Sequence, residues 1–79
     1  MFDDPQADEA AELARSFLDS RHGNAEMLGL QITEVIAGKE PHTWIVKANL
    51  HPKIGWPERI YYHVNVNLMT GQVDLQQVQ

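Results

Sequence analysis

The side chains best suited to chemistry in this 79-residue chain are four histidines, two serines and a cluster of acids near its start. No two of His22, His42, His51 and His63 show the four-residue helical spacing of a zinc site, nor a carboxylate placed to complete one. His42 and His51 flank an eight-residue strand and so lie roughly 25 Å apart, at about 3.3 Å per residue, too far to share an ion. Ser16 and Ser20 fall on a helix, not on the strand-to-helix elbow a serine hydrolase uses. Asp3, Asp4, Asp8 and Glu12 crowd the exposed start of that helix, where solvated carboxyls make poor general acids at neutral pH. There is no glycine-rich phosphate loop, and the absence of cysteine excludes disulfides and thiolate ligands. These residues point to a protein that is not an enzyme and needs no metal or cofactor.

Composition narrows the partners. A net charge of -5 repels phosphate backbones and anionic lipid, so neither nucleic acid nor a membrane is expected. No stretch nears the roughly 18 apolar residues of a membrane span. Met1-Phe2-Asp3-Asp4-Pro5 is acidic and lacks the basic-then-apolar order of an export signal, which points to the cytoplasm. A chain of this length supports one domain with one small core.

The elements that must position any site follow from periodicity. Asp4 can cap a helix, Pro5 suits its first position and Gly23 its end, which predicts a helix over about 5–22. Ala10, Leu13, Ala14, Phe17 and Leu18 form its apolar stripe. Strands are expected at about 30–36, 43–50, 59–68 and 72–78, with Met27 and Leu28 tucked under the sheet. In the first strand Leu30, Ile32 and Ile36 share a side. Trp44, Val46, Ala48 and Leu50 alternate in the second. Ile60, Tyr62, Val64, Val66 and Leu68 alternate in the third, and Val73 and Leu75 point inward in the fourth. Short connections favour an antiparallel meander. The fold class is therefore α+β, a helix covering one face of a four-stranded sheet, with Phe17, Leu13, Trp44 and Tyr62 at the centre of the contact.

The segment Tyr62-His63-Val64-Asn65-Val66-Asn67-Leu68-Met69-Thr70-Gly71-Gln72-Val73 resembles the closing strand and turn of PepSY-like domains. Asn67 and Gln72 stand where that pattern usually has Asp and Glu. The resemblance implies a module that binds peptidases and inhibits them. Glu34-Val35-Ile36-Ala37-Gly38 and Leu13-Ala14-Arg15 are similar to the first hairpin and helix motifs of the cystatin-like fold. Trp56-Pro57 falls one loop earlier than the cystatin Pro-Trp pair and in reverse order, and no glycine precedes the helix. That likeness implies the fold rather than the inhibitory activity.

Two surfaces remain for recognition. If the second and third strands pair, Ile45, Lys47, Asn49, Tyr61, His63, Asn65 and Asn67 share the face turned from the helix, a mixture that suits an adaptable interface. In the loop His51–Glu58, Ile54 and Trp56 either fold back over the sheet edge, the commoner solution, or anchor a partner. The expected function is a non-catalytic protein- or peptide-binding module, in one form a peptidase inhibitor, with Ile45, Lys47, Trp56, Tyr61, His63 and Asn65 as binding residues. The alternatives are a small-ligand carrier with a pocket between helix and sheet, and a homo-oligomeric structural protein. An open edge strand would let the domain dimerise or accept an added strand.

Overall fold

The structure, a computed structural model, describes residues 4–78; Met1 to Asp3 and Gln79 lie outside the described residues, and with them Asp3 of the acidic cluster. One helix, α1 (Pro5–His22), precedes four strands: β1 (Gln31–Ala37), β2 (Thr43–Leu50), β3 (Ile60–Asn67) and β4 (Gln72–Val78). The Asp4 side chain accepts the Gln6 N–H at 2.8 Å, satisfying one of the donors a helix start leaves free. Gly23 ends the helix at φ 87°, a conformation that a side chain would strain. The strands pair in sequence order, each antiparallel to the next.

The expected α+β meander is thus the fold, and its period-2 pattern holds in three of the four strands. Val46, Val64 and Val66 of the helix-facing side are fully buried, as is Leu50. The helix meets them with Ala10, Ala14 and Leu18, all 0 % exposed. Alanines at the contact let the helix backbone settle close to the sheet. The bulk of the core therefore comes from the strands.

Three expectations about the core need correction. The helix buries Ala7, Ala10, Ala11, Ala14 and Leu18, so the stripe is rotated toward the alanines. Leu13 and Phe17 lie on its flank and are only half-buried. Of the four residues expected at the centre, only Tyr62 is buried there; Trp44 sits at the margin, its indole N–H buried without a partner among the described residues. Apolar spacing alone admitted Leu13 and Phe17 to the stripe beside Ala10 and Ala14, whereas close approach to a sheet rewards the small side chains.

The second correction is in β1. Ile32 pairs with Ala48 but Glu34 pairs with Lys47, so Thr33 is an extra residue, a β-bulge. Because side chains alternate with a period of two, one extra residue reverses every side chain beyond it. Val35 faces the helix, and Ile36 turns to the opposite face, 36 % exposed. The third concerns Met27, which is 64 % exposed rather than tucked in; Leu28 alone is buried from that pair.

Candidate functional site

The sheet face turned from the helix is built by cross-strand rows. Ile36, Ile45, Asn65 and Asp74 form one row; Glu34, Lys47, His63 and Gln76 form the next. Asn49, Tyr61 and Val78 make a third toward the β2–β3 loop. Five of the six residues singled out in the sequence, Ile45, Lys47, Tyr61, His63 and Asn65, are brought together here. Tyr61 is 52 % exposed, Asn65 is exposed, and Ile45, Lys47 and His63 are half-buried. Lys47 Nζ lies 3.2 Å from Glu34 Oε1. A surface pair of this kind contributes only about 0–1 kcal/mol, so its role is to fix the direction of the lysine.

Two grooves cross this face. One, of about 400 Å³, is bounded by the β1–β2 turn at Gly38–Glu40 and has Ile45, Asn65 and Asp74 in its walls. The other, of about 330 Å³, lies beside Thr33, Lys47, Tyr61, His63 and Val78. Gly38 is tied into the first: its N–H donates to the Thr43 carbonyl at 2.8 Å, and a Cβ on it would collide with the Thr43 side chain.

Trp56, the sixth residue, is not on the sheet. It stands in the loop between β2 and β3, 46 % exposed, with Lys53 Nζ 5.7 Å from its ring. Ile54 beside it is 71 % exposed. The loop does not fold back over these two side chains. Its ends are nevertheless held. His51 N–H donates to the Leu28 carbonyl at 2.8 Å, and His51 Nδ1 pairs with the Glu58 carbonyl at 2.9 Å. Arg59 Nη1 donates both to the Gly29 carbonyl at 3.1 Å and to Oδ1 of buried Asn49 at 2.5 Å. The α1–β1 connector and the β2–β3 loop are thereby bound to each other, and exposed Met27, Ile54 and Trp56 all belong to this pair of segments.

The histidines stay apart. His22 Nε2 hydrogen-bonds with the Tyr62 hydroxyl at 3.2 Å, His42 Nδ1 accepts from the Gln6 side-chain amide at 3.0 Å, and His63 lies on the outer face. Burial, and secondarily the neighbouring Arg21 charge, hold the His22 pKa below its ordinary 6.5. Among the described residues no three His, Asp or Glu side chains converge on a point where a metal ion could sit. Among the described residues no helix is long and apolar enough to cross a membrane.

Sequence reasoning missed Ile36, the β4 side chains Asp74, Gln76 and Val78, and Met27 as members of the exposed surface. Ile36 had a detectable signal. Strict alternation from Ile32 to Ile36 would bury Glu34 between them on the helix side, and a buried unpaired charge argues for a bulge.

Comparison with known proteins leaves this geometry to speak for itself. No family model, curated protein or solved structure matches the chain.

Proposed function

We infer that the chain is a non-catalytic module that binds a protein or peptide on the outer face of its sheet. The observation that carries this is the gathering of Ile36, Ile45 and Tyr61, among Asn, His and Lys, over two grooves of one surface. Aromatic and aliphatic side chains in a polar frame supply contact area at low conformational cost, with nearby donors and acceptors to fix orientation. The exposed Trp56 and Ile54 extend the reading, because Tyr61 stands two residues beyond Arg59, the anchor of their loop.

Peptidase inhibition is the narrower form of this reading. It rests on the PepSY-like strand and turn.

Selection of binders from a displayed peptide library, followed by amide chemical-shift mapping, tests the broader reading. Shifts should concentrate on Ile45, Lys47, Tyr61, His63 and Asn65, and Tyr61→Ala should weaken binding about tenfold, the effect of losing one aromatic anchor. Binders that map to the exposed side of α1, or that ignore Tyr61→Ala, would overturn it.

A further inference from the structure

The two edges of the sheet are not alike. The β1 edge is interrupted by the bulge at Thr33. The β4 edge, Gln72-Val73-Asp74-Leu75-Gln76-Gln77-Val78, has no bulge and no proline, and Asp74 is the single charge among the devices by which soluble proteins blunt an edge. Its free backbone groups can be identified. Leu68 N–H donates to the His42 carbonyl, so even-numbered residues of β3 bond to β2 and odd-numbered ones to β4. The even residues of β4 are then used by β3, leaving the N–H and C=O of Val73, Leu75 and Gln77 directed outward.

The flank beside this edge is apolar and unfinished. Arg15, Ser16 and Asp19 line a groove with Ala25 and Leu30 on the β1 side of the helix. Leu13 and Phe17, on the opposite flank, therefore lie toward β4, and both are half-buried, as are Val73 and Leu75. An added strand would cover this shoulder while satisfying the outward backbone groups.

We propose that this edge pairs with the same edge of a second copy of the chain, antiparallel about a two-fold axis through Leu75, to give one continuous sheet. The sequence of β4 is self-complementary in that register. Leu75 meets the partner's Leu75, Val73 meets the partner's Gln77, and Gln72 meets the partner's Val78, so the whole strand overlaps. The outward groups of Val73, Leu75 and Gln77 form on the order of six main-chain hydrogen bonds. The strand's one charge, Asp74, faces the partner's Gln76. A shift of the axis to Asp74 would place two carboxylates opposite each other, and a shift to Gln76 would shorten the overlap. Pairing through the edge leaves the outer face open, so this inference is independent of the proposed binding surface.

Sedimentation from about 1 µM to 1 mM at physiological salt, where surface repulsion is screened beyond about 8 Å, measures the association. A concentration-dependent dimer is expected. Because Gln76 is exposed, its substitution should leave the fold intact, which circular dichroism checks. Gln76→Asp sets a like charge against the partner's Asp74 at two symmetric positions, and Gln76→Lys an opposite one. The dissociation constant should rise with the first and fall with the second, each by on the order of 2- to 30-fold. Amide exchange at Val73, Leu75 and Gln77 should slow as concentration rises. A monomer at 1 mM, or a dimer whose affinity does not move oppositely in the two variants, would overturn the proposal.

Discussion

Arg59→Ala should lower the stability of the domain by about 2–3 kcal/mol. One guanidinium nitrogen donates to both the Gly29 carbonyl and Asn49 Oδ1. A hydrogen bond from a charged donor contributes about 1.5–3 kcal/mol net, and a buried acceptor left unpaired is penalised by about 1–3 kcal/mol. Asn49 is 5 % exposed, so water cannot readily replace the lost partner on its side. Arg59 itself is half-buried, and water can replace part of the Gly29 bond, which keeps the total near the value of one full loss. A chain of this length has a stability on the order of 4–12 kcal/mol, so the substitution removes a large share of it. At about 4–8 °C per kcal/mol, the melting temperature should fall by roughly 8–24 °C. Urea denaturation followed by circular dichroism gives the free energy, and a double-mutant cycle with Asn49→Ala isolates the pair. The His51 amide, bonded to the Leu28 carbonyl, should exchange faster as the two segments part. A loss below about 0.5 kcal/mol, or a coupling near zero, would show that Arg59 does not hold this end together.

In a Trp44→Phe background, Trp56 should emit close to the wavelength of tryptophan in water and be quenched readily by acrylamide, given its 46 % exposure; a blue-shifted, protected signal would mean that the loop closes over it. Stability should decline as pH falls below 6.5, the ordinary histidine value, through the lowered pKa of His22. The sign follows because the unfolded chain takes up the proton at higher pH than the folded one, so acid favours unfolding and the neutral ring's contribution is intact only above that window. His22→Gln should flatten the dependence of melting temperature on pH between 7.5 and 5 relative to the parent, and an unchanged slope would remove His22 as its source.

Much of the outer face was legible because period-2 alternation in β2 and β3 is uninterrupted. Once Trp44, Val46, Ala48 and Leu50 face the helix, Ile45 and Lys47 must face away, and antiparallel pairing places Asn65 and His63 beside them. The same logic failed in β1, where one extra residue at Thr33 reversed Ile36. A bulge is set by how two strands fit each other, and a single strand's pattern carries that information only indirectly, here through the misplaced charge of Glu34.

The sequence by itself determined the helix, its cap at Asp4 and its stop at Gly23, because those depend on the backbone preferences of a few neighbouring residues. It also determined the order and alternation of the central strands, since apolar periodicity is a local property. Only the tertiary structure decided which flank of the helix meets the sheet, because distance of approach selects Ala10 and Ala14 over Phe17 and Leu13. It also decided that Ile54, Trp56 and Met27 stay in water, and that the backbone of β4 is left facing outward. These outcomes depend on which atoms remain uncovered after every other contact has formed, and no stretch of chain records that alone.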